Sequence, residues 1–162
     1  MRNIFPDHFR PFQDFIPEGE RGDLLKAYHR RLIDPDPAVH LPAASAWKTY
    51  ESSCATLLPQ PDAAKDASQR TLSMSRIEAH YFVNDCFLEP NQLLRDLHRI
   101  RRIPCTIVQG RYDIICPMTI ADDLARAWPE AVFHIAPDSG HSAFEPSTRR
   151  LLIETMERLK AT

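Results

Sequence analysis

The sequence predicts an α/β protein in two parts, an all-helical domain over residues 1–100 and a β-α-β-α segment over 101–162. Three observations lead there. Before Pro104, apolar residues recur at spacings of three and four, the period of an amphipathic helix. After it, "CTIVQG" is a continuous apolar run of the kind buried in parallel sheets. Strand-like and helical stretches then alternate to the end, as parallel strands connected by crossover helices must.

Taken in order, residues 1–20 read as an irregular lead-in rich in Pro and Phe. "RGDLLKAYHRRLI" places Leu24, Leu25, Tyr28 and Leu32 on one face, and this helix stops before "DPDP", because a residue preceding proline avoids the helical region. "AASAWKTYESSCATLL" aligns Ala43, Trp47, Tyr50, Cys54 and Leu57, and "PQPD" breaks it. A third helix is expected over 69–83 with Met74, Ile77 and Tyr81 inward. "NQLLRDLHRI" opens on Asn91 as a candidate N-cap and would bury Leu93, Leu94 and Leu97. The second half then reads strand ("CTIVQG"), helix ("MTIADDLARAW"), strand ("AVFHIA") and helix ("STRRLLIETMERL"), the last with Leu151, Leu152, Thr155, Met156 and Leu159 inward. Two parallel strands are too few for a stable open sheet, which commonly has four or more. The exposed edge of 105–109 or of 132–136 would have to pair with something: either the fold is unusual or the rest of the sheet is elsewhere.

Composition narrows the function classes. The chain has 162 residues, 43% hydrophobic and 26% charged, which suits one ordinary globular domain with a real core. A formal net charge of −2 with no basic run argues against nucleic acid and anionic membranes as partners. No apolar run approaches a membrane span, and the start, "MRNIFPDHFRPF", lacks the apolar core of a signal peptide. Cys54, Cys86, Cys105 and Cys116 allow two disulfides on paper, but a start without a leader suggests free thiols in the reducing cytoplasm, and with no C-x-x-C pair no metal site is expected. The chain has only four glycines where about 7% is usual, and so lacks the Gly-rich turns that cradle nucleotides or present strained nucleophiles.

Two polar clusters fall where open α/β sheets place their ligands, beyond the carboxyl ends of the strands: "GRYD" after the first and "DSGH" after the second. Neighbouring parallel strands would bring Asp113 within reach of His141. An Asp that holds a His tautomer is the supporting part of a Ser-His-Asp triad. The plain alternative has Asp113 capping a turn and His141 on a surface loop. In the helical part, Glu51 follows Trp47 and Tyr50, and Glu78 sits in "RIEAHYF" among aromatics. Acids in an aromatic-lined pocket suit a desolvated ammonium group; the plain alternative is that each is exposed and pairs weakly with Lys48 or Arg76. Cys116 is read as a packing residue. His141-x-x-x-Glu145 has metal spacing on a helix, but Pro146 follows and a third ligand is not evident.

"IPCTIVQGRYDIICPMTIADDLARAWPEAVFHIAPDSGHSAFEP" closely resembles the C-terminal part of the proline iminopeptidases, members of the α/β-hydrolase superfamily. "FPDHFRPF", "AASAWKTYESSCATLLP" and "RIEAHYFVNDCFLEPNQLL" resemble that family's helical cap, so that the likeness covers nearly the whole chain. It implies that Asp113 and His141 are the triad acid and base, and that Glu51 and Glu78 bind the amine of an N-terminal proline. Tyr50 stands where the family more often has Trp. It further implies the C-terminal β-α-β-α part of an α/β-hydrolase sheet preceded by a cap, a peptide with N-terminal proline as substrate, and no cofactor or metal.

The family's first half, with its oxyanion loop and G-x-S-x-G elbow, has no counterpart here. The four glycines, Gly19, Gly22, Gly110 and Gly140, are never four apart, so no G-x-S-x-G occurs anywhere in the sequence. Three readings follow for the chain by itself: a half-enzyme completed by a separate N-terminal half or a second copy, an inactive piece of a serine aminopeptidase, or a non-enzymatic interaction or dimerisation module descended from an α/β-hydrolase. Another α/β-hydrolase activity is the remaining alternative.

Overall fold

The computed structural model describes residues 1–58 and 68–160. The chain falls into two compact units, one of Met1–Ser53 and Gln60–Glu89, the other of Cys54–Pro59 and Pro90–Thr162.

The first unit is helical: α1 (Pro6–Asp14), a 3₁₀ turn (Glu18–Asp23), α2 (Leu24–Leu32), α3 (Pro37–Ala55, whose last residues belong to the second unit) and α4 (Gln69–Val83). Helix α1 corrects the expected irregular lead-in. Pro6 lies at its first position, where a missing N–H costs nothing, and the helix continues across Pro11. Asp23 starts α2 by accepting the Lys26 amide at 3.1 Å, and Ser68 starts α4 by accepting from Thr71 N at 3.3 Å. The core of this unit is Ile16, Ala27, Tyr28, Leu32, Ala43, Ala44, Leu72 and Ala79. Tyr28 stacks on Phe12 at 4.3 Å between ring centroids and donates its hydroxyl to Phe12 O at 2.7 Å, so its burial leaves no unpaired phenol.

Helix α4 is rotated from the expected face. Thr71, Leu72, Ser75 and Ala79 are buried, while Met74, Ile77 and Tyr81 are exposed. The small side chains of Ser75 and Ala79 admit α2 closely, and Arg76 locks the pair by donating Nε to Leu32 O at 2.6 Å, an orphan carbonyl at the end of α2. Leu57 is exposed as well. The expected breaker at 59–62 lies outside the described residues.

The second unit holds the sheet. After the short helix α5 (Gln92–Arg95) and a 3₁₀ turn (Leu97–Arg99) come β1 (Thr106–Gly110), α6 (Met118–Ala127), β2 (Val132–Ala136) and α7 (Pro146–Lys160). The strands are parallel, in register from Thr106 opposite Val132 to Gly110 opposite Ala136. Among the described residues the sheet has these two strands only, so the architecture is α/β, helix-rich with a small parallel sheet. Asn91 does not cap α5. Its φ of 58° is left-handed, its side chain makes no cap bond, and the helix runs four residues with Leu93 and Leu94 exposed and only Leu97 buried. Along α7 Thr155 is buried, but Leu152, Met156 and Leu159 are exposed, against expectation. Among the described residues no helix is long and apolar enough to cross a membrane.

Candidate active site

The residue that sets the site is Gly110, at the end of β1. A β-carbon there would lie 1.8 Å from the Gly140 carbonyl oxygen, so only hydrogen fits between the loops that leave the two strands. That close approach is zipped by Arg111 N donating to Ala136 O and Tyr112 N to Ser139 O, each at 2.9 Å. It carries Asp113 to His141. Asp113 is buried, and both of its oxygens are engaged. Oδ1 accepts the amides of Ile115 at 3.0 Å and Cys116 at 2.8 Å. Oδ2 accepts Gln109 Nε2 at 3.2 Å and His141 Nδ1 at 3.0 Å. A carboxylate only accepts, so Nδ1 carries the imidazole proton and Nε2 presents its lone pair. The side chain of His141 is 39% exposed, against 6% for Asp113. A fixed acid thus holds a reachable imidazole in the tautomer that can take a proton.

The backbone of the histidine loop is held as firmly. His141 N and Ser142 N both donate to Ala55 O, at 2.9 and 2.8 Å, and the Glu145 carboxylate accepts Gly140 N at 2.7 Å and Leu57 N at 2.8 Å. Sequence reading missed Glu145 in this role, and Gln109 beside Asp113. The signal available was a carboxylate close behind a Gly-His pair and directly before a proline, which forbids the helix that metal spacing would need.

The serines near the base are poorly placed as nucleophiles. Ser139 is fully buried and its hydroxyl has no hydrogen-bond partner among the described residues, while Ser142 Oγ accepts the Phe144 amide at 3.2 Å. Cys116 is exposed, but partial burial first, and the Asp113 charge second, push its thiol above the ordinary range, away from the reactive thiolate. Asp113, Cys116 and His141 offer one donor atom each within 4.8 Å of one another, the set among the described residues that could hold a divalent cation.

The second predicted cluster lies in the first unit, on α3 and α4. Trp47 Nε1 donates to Glu78 Oε2 at 2.9 Å, and Lys48 Nζ pairs with Glu51 Oε2 at 2.9 Å. Neither glutamate is fully exposed. Burial lifts the Glu78 carboxyl above the usual carboxylate range; the indole N–H opposes the rise and the nearby charge of Glu51 adds to it. Aromatic rings pack about Trp47, with Tyr28 at 5.6 Å and Phe82 at 6.3 Å from it. Glu78 thus rests on an indole N–H, and Glu51 has a cationic partner in Lys48. Arg76, the other expected partner, is spent on α2.

No protein-family model matches the chain. A proline iminopeptidase from Xanthomonas citri is 45% identical over 157 residues, which is 95% of this chain and 50% of that protein. One from Arabidopsis thaliana is 45% identical over 98% of this chain and 43% of its own length. One from Neisseria gonorrhoeae is 37% identical over 97% and 50%. The chain spans about half the length of the curated relatives it matches. It is, by sequence, a homologue of the proline iminopeptidases, alike over nearly all of its own length and about half of theirs.

Proposed function

We propose that this chain carries the base, its orienting acid and the amine anchors of a prolyl aminopeptidase of the α/β-hydrolase type. Residues 1–100 serve as the helical cap, and 101–162 as the part of the core sheet that bears the acid and base. In the complete enzyme a serine on a G-x-S-x-G elbow, supplied by a polypeptide segment other than this one, attacks the carbonyl of an N-terminal prolyl residue. His141 Nε2 takes the serine proton and passes it to the departing amine, leaving a prolyl ester that water then hydrolyses with the same base. Asp113 keeps Nδ1 protonated and steadies the imidazolium as it forms. Glu51 and Glu78 receive the charged prolyl amine, which restricts the enzyme to free N-termini. The proposed place of action is the cytoplasm.

The observation that carries the reading is the 3.0 Å bond from His141 Nδ1 to a buried carboxylate at the carboxyl ends of two adjacent parallel strands. The test is reconstitution. The chain is mixed with the part of the Xanthomonas citri relative that it does not match, and prolyl-arylamide hydrolysis is measured. Turnover in the mixture alone is expected, abolished by His141→Gln and lowered on the order of 10⁴-fold by Asp113→Asn, which gives the wrong tautomer. A mixture that forms a complex yet shows no turnover overturns the proposal.

A further inference from the structure

Glu145 sits at the junction of the histidine loop and α7. Its main-chain carbonyl accepts the Arg149 amide at 2.9 Å, the bond that starts the helix, so Glu145 is the capping position of α7. A residue there ordinarily turns its side chain onto the first amides of its own helix. This carboxylate does not. It reaches in the other direction, with Oε2 on Gly140 N at 2.7 Å and Oε1 on Leu57 N at 2.8 Å. With the Ala55 carbonyl taking His141 N and Ser142 N, three consecutive amides, 140 to 142, are all anchored. Ala55 is the last residue of α3, so its carbonyl is one the helix itself leaves unpaired. The packing is tight as well: a β-carbon on Gly140 would lie 3.1 Å from Leu57 N and 3.3 Å from both Ala55 O and Glu145 Oε2.

We infer that Glu145 is a positioning residue for His141: its two-oxygen grip on the amides of Gly140 and Leu57 fixes the loop so that the imidazole meets Asp113 in the Nδ1-protonated form. Asp113 alone leaves this undecided. The carboxylate can orient the ring only if the backbone delivers it to 3.0 Å, and the backbone from 140 to 142 contains a glycine and lies outside both strand and helix. A carboxylate suits the task because both of its oxygens accept, and charge assistance strengthens both bonds. Glutamine, of the same size, would turn an N–H toward one of the two amides. Alanine would release both.

The inference rests on the reading of His141 as a base, and its test is run on this chain by itself, where no catalysis is needed. Histidine is labelled with ¹⁵N, and two-bond ¹H–¹⁵N correlations report which ring nitrogen of His141 carries the proton. The resonances are assigned by their loss in His141→Gln. The wild-type chain is expected to show Nδ1 protonated and Nε2 bare. Glu145→Gln is expected to shift these signals toward the tautomer mixture of a free imidazole, in which the Nε2-protonated form predominates, and Glu145→Ala to shift them further, with far-UV circular dichroism unchanged. A folded Glu145→Gln chain with the wild-type tautomer overturns the inference. So does a Glu145→Gln chain that fails to fold, since Glu145 would then support the unit rather than aim the ring. In the reconstituted enzyme the expected signature of Glu145→Gln is a kcat loss on the order of 10²-fold with KM unchanged, the effect of a misplaced base. Absence of turnover in the wild-type mixture would sink the reading of His141 without altering the tautomer result.

Discussion

Gly110 has no room for a methyl group, and the obstacle is main chain rather than a side chain that could swing aside. Gly110→Ala is therefore expected to cost about 1–3 kcal/mol through forced displacement of the 139–140 backbone, read as a lower urea midpoint. A wild-type midpoint would mean the two loops separate easily. Glu78 yields a pH prediction. Burial favours its protonated form in the fold, so the folded chain holds this proton to higher pH than the unfolded chain does. The stability it leaves available is greatest below the ordinary glutamate range and falls as pH rises through the raised value. Glu78→Gln should raise the thermal midpoint at pH 7, with the gain gone near pH ~3, where both states are protonated. A gain equal at both values would contradict this. At this scale the sequence singled out Asp113, His141, Glu51 and Glu78 as candidates by residue type and by place beyond strand ends or beside aromatics, and the meeting of Asp113 with His141 was legible in the strand order. It left Glu145, Gln109 and the Trp47 indole unread, because their partners are carboxylate or main-chain atoms brought near only by the folded loops and helices.

Helix α4 shows what periodicity alone leaves open. Leu72, Ser75 and Ala79 form one stripe, and Met74, Ile77 and Tyr81 form another with the same helical spacing. The larger apolar residues suggested the second stripe, yet the first is buried, because small side chains let α2 approach closely enough to bury Leu72. Leu72→Ala should cost about 2–5 kcal/mol. Ile77→Ser on the opposite stripe should change stability by no more than about 0.5 kcal/mol, as surface substitutions do. Equal losses in chemical denaturation would mean the burial of the two faces is assigned wrongly. The strands and most helices were legible because each has a run of one period between clear breakers. Helix α1 was not: Pro6 and Pro11 read as interruptions, although one occupies a position where proline is welcome.

For the molecule as a whole, the proposal assigns the nucleophile to another segment, and that has a direct consequence for labelling. Ser139 is buried, and Ser142 has no glycine-flanked turn to expose it. A fluorophosphonate probe should leave the intact mass of the purified chain unchanged, and a stoichiometric adduct would show a nucleophile within these 162 residues. The exposed apolar residues fit the same picture: Leu152, Ile153, Met156 and Leu159 on α7, and Phe144 at 84% exposure beside the base. The brace of the histidine loop also sets an order of events during synthesis. Leu57 and Glu145, which it joins, are 88 residues apart. At ~5–20 residues per second the ribosome needs roughly 4–18 s between making the one and the other. Throughout that interval the end of α3 waits with its last carbonyl unclaimed, so this corner of the molecule is completed only once Glu145 has been made, and a nascent chain stalled before Glu145 should bind a holdase chaperone that a chain extended past it does not.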